Sequence, residues 1–344
     1  MLRLITLLIT LLLPVAATAG PAHPRNFSKQ AHLMGSHFTY TVVADNDSLG
    51  WTALDAAITE TRRIDRLMSF WDSTSQITRI NRAAGLRPVV VDQEVFDLIQ
   101  RTLRISELSG GAFDITFASA DKIYRFDRQE HPLPDPAVRM AAVARINYRN
   151  VVLNPAQRTV LLKEKGMRLN LAGVLQGYGI RRARQVLDKM GIKGGLLNGS
   201  GDILCWGRQA NGSLWRVAIG DPDHPGSISS WVQVTDVAVV TAGNYEQYFT
   251  AAGKVYGHII NPATGLPATG LRSVTIICPD VELADCLDEV VFVKGPTNGL
   301  AFINTLKGVD CTLITDDNHT LVSKNMQVRY LRNNAPVPAT ALRP

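Results

Sequence analysis

Helical and strand-like segments alternate irregularly along this chain, and their order limits the folds it can adopt. Apolar residues at helical spacing predict long helices over 48–68, from Asp92 to the glycine pair at 110–111, and over 177–190. A β-prone run predicts a strand at 37–44. Because no repeated β-α-β rhythm is present, we expect an α+β fold with mixed or antiparallel sheets flanked by helices.

The second half of the chain is predicted to be rich in strands, which lie at 194–197, 214–219, 231–235, 237–240 and 273–278. Two helices are predicted at 282–293 and 297–306. A closing hairpin with strands at 312–314 and 320–323 is expected to turn at 316–318. No internal repeat or low-complexity linker divides the chain. We therefore expect residues 20–344 to form one large domain, or two closely packed lobes.

The first 19 residues have the layout of a cleaved secretory signal. Arg3 supplies positive charge, residues 4–16 are almost entirely apolar, and Ala17-Thr18-Ala19 places small residues at the cleavage position. The apolar run is too short for a spanning helix, which needs about 20 apolar residues, and no later run reaches that length. We expect an exported protein that begins near Gly20, is soluble after cleavage and has no stable membrane insertion.

Charge and cysteine content argue against two classes of protein. The chain has 36 Lys and Arg against 30 Asp and Glu, and its basic residues form only short pairs such as Arg62-Arg63. Nucleic acid is therefore not an expected partner. The four cysteines lack the spacing of a zinc site. Export permits a disulfide, but a chain of this length can build a core without one, so buried free thiols are favoured over a single disulfide.

Four glycine- or aspartate-bearing segments are candidates for a binding site. The loop at 198–202 and the helix start at 169–178 can bring backbone N–H groups to an anion. The region from 241 to 265 contains His258, a candidate acid or base. On a helix, Asp285 and Glu289 would lie one turn apart and could bind one hard cation. Each pattern alone also fits an ordinary turn, a structural histidine or a solvated helix face.

Taken in order, these segments resemble the FAD:protein FMN transferase family, also called the ApbE type, through most of the chain after the signal. The resemblance rests on Met34-Gly35-Ser36, Met68-Ser69-Phe70-Trp71 with Ser75 and Asn81, Gly110-Gly111-Ala112-Phe113-Asp114-Ile115-Thr116, the helix start at 169–178, Asn198-Gly199-Ser200-Gly201-Asp202, Ile219-Gly220-Asp221-Pro222, Thr241-Ala242-Gly243-Asn244-Tyr245, the segment at 258–265, and Ala284-Asp285-Cys286-Leu287. Each motif is common, but the ordered series is specific.

The resemblance implies an ApbE-like, T-fold-like architecture and a periplasmic enzyme that binds FAD with Mg²⁺. Members of the family cleave the FAD pyrophosphate and transfer FMN to a threonine or serine hydroxyl of a respiratory or electron-transfer protein. Carried onto this chain, the metal ligands are the Leu175 carbonyl, Asp285 and Glu289. The implied flavin-binding positions are Met34, Asn81, Asp114, Thr116, Gly177, Tyr178, Gly199, Gly201, Asp202, Thr241, Gly243, Tyr245 and His258. The acceptor hydroxyl needs a base, and either His258 or Asp285 could serve.

Several family positions are substituted in this chain, mostly with loss of a charge or a hydroxyl. They are Asn170 for Asp, Ala172 for Gly, Gln176 for Lys, Ser200 for Gly, Ala242 for Ser, Asn244 and Asn261 for Asp, and Glu289 for Thr. Loss of one lysine–phosphate hydrogen bond costs about 1.5–3 kcal/mol, which weakens a site by one or two decades. A carboxylate at position 289 is a better Mg²⁺ ligand than a hydroxyl.

Three functions are compatible with this sequence. The preserved motif positions favour an active flavin transferase. The substitutions at Asn170, Gln176 and Glu289 favour a degenerate relative that binds FAD without transferring FMN. The third is an interaction protein that assists assembly of an exported redox enzyme and has lost flavin.

Overall fold

The structure, a computed structural model, describes residues 23–120, 123–220 and 228–326. The predicted signal at 1–19 and the Asp221-Pro222 pair lie outside these ranges.

The strands are β1 (Arg25–Leu33), β2 (Ser36–Ala44), β3 (Val89–Val90), β4 (Val151–Asn154), β5 (Thr159–Leu162), β6 (Gly194–Gly199), β7 (Asp202–Trp206), β8 (Trp215–Gly220), β9 (Ile228–Val234), β10 (Val237–Gly243), β11 (Tyr248–Ala251), β12 (Lys254–Gly257), β13 (Leu271–Cys278), β14 (Asp310–Thr315) and β15 (Thr320–Val322). The helices are α1 (Asp47–Met68), α2 (Gln76–Arg82), α3 (Gln93–Ser109), α4 (Pro136–Val143), α5 (Ala172–Lys189) and α6 (Val281–Ile303).

An eight-stranded sheet in the order β1-β2-β6-β7-β10-β13-β14-β15 forms the centre of the fold. Each neighbouring pair in it runs antiparallel. Alternate residues of β2, including Phe38, Tyr40 and Val42, are buried and share a core with α1, α5 and α6. This alternation is expected for a sheet with one face covered by helices. The predicted α+β class with antiparallel sheets is confirmed.

A second apolar core lies beneath a small antiparallel sheet of order β3-β5-β4. Helices α2 and α3 contribute Ile77, Ile80, Val95 and Ile99 to it, and α5 contributes Val174. Two further antiparallel pairs are formed by β8 with β9 and by β11 with β12. Because α5 takes part in both cores, its first turns lie where the two parts of the fold meet.

Most of the predicted helices are present close to their expected limits. Asn46 caps α1 by accepting a hydrogen bond from the Leu49 N–H, and Gly110 ends α3 in the left-handed conformation at φ 69°. The two helices predicted at 282–293 and 297–306 are parts of one element, α6, which breaks at Gly295 (φ 75°) before Pro296. The closing hairpin is confirmed as β14 and β15.

The cysteines and the apolar segments also follow the sequence expectations. Cys205, Cys278, Cys286 and Cys311 are all buried and free, so the preference for buried thiols over a disulfide is confirmed. Within the described ranges, no helix combines the length and apolar character that crossing a membrane requires.

Candidate active site

Helices α5 and α6 cross with almost no space between their backbones. At the crossing, a Cβ atom on Gly177 would lie 2.5 Å from the Val281 carbonyl oxygen and 2.9 Å from the Cβ of Asp285. The Gly177 N–H donates to Asp285 Oδ2 at 2.8 Å. One turn earlier, a Cβ atom on Gly173 would overlap the Glu289 carboxylate. The two glycines therefore let two carboxylates of α6 lie directly against the backbone of α5.

Four carboxylates collect beside this crossing. Asp285, Asp288 and Glu289 lie within one turn of α6, and Asp202 comes from the start of β7. Burial raises the pKa of Asp285 to about 7, and burial together with the charge of Asp285 raises the pKa of Glu289 to about 8. Burial and the neighbouring carboxylates also raise the pKa values of Asp202 and Asp288 well above their ordinary range. In the described part of the chain, no Lys or Arg offsets these charges by lowering any of the four pKa values.

Asp202 reaches the cluster through a tight hairpin turn between β6 and β7. Ser200 has φ 53° and Gly201 has φ 117°, so both occupy the region that favours glycine. The Asn198 side chain accepts the Gly201 N–H at 3.0 Å, and the Gly201 carbonyl accepts the Thr241 N–H at 3.3 Å. The glycine loop of the sequence is thus a hairpin turn that delivers a buried carboxylate to the site.

The carboxylates suit a divalent cation that is bound jointly by the protein and by a phosphate group of a substrate. Among the residues described, no three His, Cys, Asp or Glu side chains are arranged to hold a metal ion by themselves. Mg²⁺ does not require such a set, because it is usually held by one or two carboxylates with water and substrate phosphate. Asp285 and Glu289 can supply those carboxylates, and Leu175 lies between Gly173 and Gly177 on the same turns of α5.

The predicted residues Asn81, Asp114 and Thr116 brace the loops around the start of α5. The Asn81 amide donates to the Leu169 carbonyl at 2.8 Å and accepts the Leu169 N–H at 2.7 Å. Asp114 accepts hydrogen bonds from the Thr116 N–H and hydroxyl and from the Tyr148 N–H. Burial raises the pKa of Asp114 despite these bonds. In this structure all three side chains bond to the protein's own loops.

Met34 packs against α5, and Tyr178 is part of that helix. Met34 occupies the turn between β1 and β2 at φ 53°, and its N–H donates to Asp65 Oδ2 at 2.9 Å. A Cβ atom on Gly179 would lie 2.8 Å from the Met34 methyl carbon, so the two residues are in contact. The Tyr178 hydroxyl donates to Glu94 Oε1 at 2.6 Å. The hydroxyl of this predicted flavin-binding residue is therefore occupied within the protein.

The remaining predicted residues lie at the end of β10 and after β12. The Thr241 hydroxyl is 2.9 Å from that of Thr275, and Gly243 lies against the Tyr245 ring. His258 stands 6.5 Å, edge to face, from the Phe126 ring, in an aromatic group separate from the carboxylates. Burial lowers its pKa, against an opposing effect of the Gln247 backbone, and in the part of the chain that the structure describes its buried Nδ1 has no hydrogen-bond partner. Within the described residues, no hydrogen bond or ion pair joins His258 to Asp285.

Sequence reasoning missed Asp288 as a member of the carboxylate cluster, and Gly173 as the contact of Glu289. A signal for Asp288 is present, because α6 is apolar on nearly all sides apart from its acidic residues. Charged residues are rarely buried without a partner. Three acidic residues within one turn of a buried helix therefore indicate a site that a cation can occupy.

Solved ApbE proteins share this fold. The ApbE protein of Thermotoga maritima superposes with a TM-score of 0.82 at 26% identity, covering 88% of this chain and 99% of the other. The flavinyl transferase ApbE of Pseudomonas stutzeri, in its apo form, superposes with a TM-score of 0.80 at 22% identity, covering 90% and 98%. By its fold, this protein is therefore an α+β protein with the ApbE architecture.

Sequence comparison identifies the family. The FAD:protein FMN transferase of Treponema pallidum is 30% identical over 345 residues, covering 95% of each chain. A protein of the same name from Klebsiella pneumoniae is 28% identical over 309 residues, covering 89% of this chain and 94% of its own. The sequence model of the ApbE family matches residues 34–313. The chain belongs to the ApbE family, and the resemblance drawn from its motifs is confirmed.

Proposed function

We propose that this protein is a Mg²⁺-dependent FAD:protein FMN transferase that attaches FMN covalently to a threonine or serine of an exported or membrane redox protein. The observation that carries the proposal is the group of buried carboxylates at the crossing of α5 and α6. They have no basic partner in the described part of the chain. The relatives that bear this activity in their names align over nearly the whole chain.

The residues at the crossing suit cleavage of a pyrophosphate. Asp285 and Glu289, with the Leu175 carbonyl, would hold Mg²⁺, which when bound offsets the negative charge that develops on the phosphate oxygens. Gly173 and Gly177 let the Glu289 and Asp285 carboxylates lie against the backbone of α5, on the turns that carry Leu175. By holding the ion, these residues would orient the phosphates in a site partly closed to water.

His258 is the better candidate for the base that accepts the proton of the acceptor hydroxyl. Its buried Nδ1 has no hydrogen-bond partner among the described residues, and burial lowers its pKa, so the ring is neutral near pH 7 and able to accept a proton. Asp285 is less suited, because one of its oxygens already accepts the Gly177 N–H and the carboxylate is needed for the metal. Residues 1–19 would direct the protein to the periplasm, where it would meet its acceptor.

The test is covalent flavin transfer by the purified mature protein. FAD, Mg²⁺ and several exported redox domains are supplied as substrates, and labelled acceptor is detected by in-gel flavin fluorescence and by intact mass. Transfer should require Mg²⁺, should stop with EDTA, and should be lost in Asp285→Asn while the protein stays folded. Confirmed FAD binding without labelling of any acceptor would refute the proposed activity.

A binding protein that holds FAD without transferring FMN is the second candidate, and Gln176 favours it. Its side-chain amide donates to the Ser36 hydroxyl at 3.2 Å, where the family motif has a lysine. This reading predicts tight FAD binding without turnover, and activity gained in a Gln176→Lys, Glu289→Thr double variant. If neither protein binds flavin, as visible absorbance would reveal, both candidates fail and the assembly-protein interpretation is favoured.

A further inference from the structure

A groove of about 520 Å³ lies between α2 and β3, away from the carboxylate cluster. Arg79 and Arg82 of α2 line it together with Arg87 of the following loop. Its apolar lining includes Leu86 and Val90, whose side chains are 74% and 60% exposed. Large apolar side chains this exposed beside three arginines indicate a surface that a ligand can cover.

The positive charge of this groove is not used by the fold. Arg79, Arg82 and Arg87 are exposed, and within the described ranges none of them forms an ion pair with an acidic side chain. On α1, by contrast, Arg63 pairs with Glu60 at 2.8 Å. The chain as a whole carries a formal charge of +6, so a second copy of it is a poor electrostatic match. The groove is complementary to an acidic partner.

One wall of the groove is an unpaired sheet edge. β3 is the edge strand of the β3-β5-β4 sheet, and among the described strands it pairs only with β5. The Val91 N–H donates to the Arg158 carbonyl at 3.0 Å. Because hydrogen-bonded and non-bonded pairs alternate in an antiparallel ladder, the pairing of Val90 with Thr159 is a non-bonded one. The backbone N–H and C=O of Val90 therefore point away from β5, toward the unpaired edge.

We infer that this groove binds an extended acidic segment of the acceptor protein, which adds to β3 as a further strand. Backbone pairing with Val90 supplies the attachment, and acidic side chains of the segment contact Arg79, Arg82 and Arg87. α2 also carries Asn81, which bonds to the backbone before α5, so the helix that lines the groove also contacts the segment leading into the proposed site. The identification of the partner as the acceptor protein rests on the proposed function. The recognition of an extended acidic segment by the arginines and the sheet edge does not depend on it.

Peptide binding to the full mature chain tests the charge component. The probe is a fluorescein-labelled decapeptide of alternating glutamate and valine, read by anisotropy, with an alternating lysine and valine peptide as control. The acidic peptide should bind and the basic one should not. The double variant Arg79→Glu, Arg82→Glu should weaken binding at least about tenfold. The matched variant Arg62→Glu, Arg104→Glu, with the same net charge, should change it by less than about twofold.

A second pair of variants tests the backbone component. Val90→Pro removes an N–H that the sheet does not use, and proline is tolerated on an edge strand. It should reduce peptide binding by about tenfold while circular dichroism and thermal unfolding stay close to wild type. Val90→Ala keeps the N–H and should retain most of the binding. Equal effects of the two variants would contradict strand addition.

Three results would overturn the inference. The first is peptide binding that is insensitive to the arginine reversals. The second is no peptide binding, but binding to phosphatidylglycerol vesicles that the reversals abolish, which would make the groove a membrane contact. The third is a change in sedimentation mass caused by the reversals, which would make it a contact between copies of the chain. Because these measurements need neither FAD nor transfer, failure of the transferase proposal would remain distinguishable from failure of the docking inference.

Discussion

Raising the pH in the absence of divalent cations should destabilise this protein through its carboxylate cluster. Burial raises the pKa of Asp285 from 3.8 to about 7 in the folded state. In the unfolded chain this side chain ionises near its ordinary value of about 4. Between these pH values the folded protein keeps a proton that the unfolded chain has lost. The free energy of unfolding therefore falls as the pH rises.

The size of the effect follows from the shift. A shift of three pKa units lowers the free energy of unfolding by about 4 kcal/mol over the full window from about pH 4 to pH 7. About 2–3 kcal/mol of this loss falls between pH 5 and pH 7.5. Glu289, whose pKa is raised to about 8, acts in the same direction. Its shift depends partly on the charge of Asp285, so the two contributions are not additive. Asp285 alone therefore sets the expected magnitude.

Urea unfolding at about pH 5 and about pH 7.5 in EDTA, for the wild type and for Asp285→Asn, measures this effect. The difference between the two proteins isolates Asp285 together with the carboxylates whose pKa values depend on its charge, because groups that do not interact with Asp285 titrate alike in both. The variant should lose about 2–3 kcal/mol less stability across the window, and Mg²⁺ should stabilise the wild type at the higher pH more than it stabilises the variant. An identical pH dependence in the two proteins would show that Asp285 does not carry a raised pKa, and the argument for the cluster would fail.

Three substitutions, and one control substitution at Gly179, test other contacts of the site by urea unfolding and FAD titration. Gly177→Ala should cost about 1–3 kcal/mol because its methyl group meets the backbone of α6, and it should abolish most transfer. The added methyl group of Gly179→Ala meets the flexible end of Met34 and lies at ordinary contact distance from Thr61, so this control should stay within about 1 kcal/mol of wild type. Asn81→Ala should cost about 2–3 kcal/mol and weaken FAD binding, because both backbone groups of Leu169 lose their partner. Tyr178→Phe should cost about 1 kcal/mol and leave FAD affinity within about twofold; a larger loss of affinity would mean that the hydroxyl contacts flavin.

The helices and strands that can be predicted from the sequence have a strongly periodic pattern of apolar residues, and those that cannot be predicted have a weak one. α1 and α3 carry regular apolar faces and clear end signals. β1 was missed because it buries only Phe27 and Leu33 among nine residues, as an edge strand can. β7 begins at Asp202, inside the segment 198–202 that the sequence indicates as a loop for ligand binding. The turn in this segment closes a hairpin, and the backbone conformation of the turn is itself a reason for its glycine.

The same holds for the candidate site. The part built by local interactions can be predicted from the sequence, and the part built by contacts between distant segments cannot. Asp285 and Glu289 are one helical turn apart, so their proximity follows from local geometry alone. Asp202 joins them only because β7 lies beside β10 in the central sheet, and α6 packs on those strands. The preserved motif order indicated that the segments converge, but only the topology places a third buried carboxylate beside the other two. The clustering of these buried carboxylates is therefore a property of the fold, and their raised pKa values follow from it.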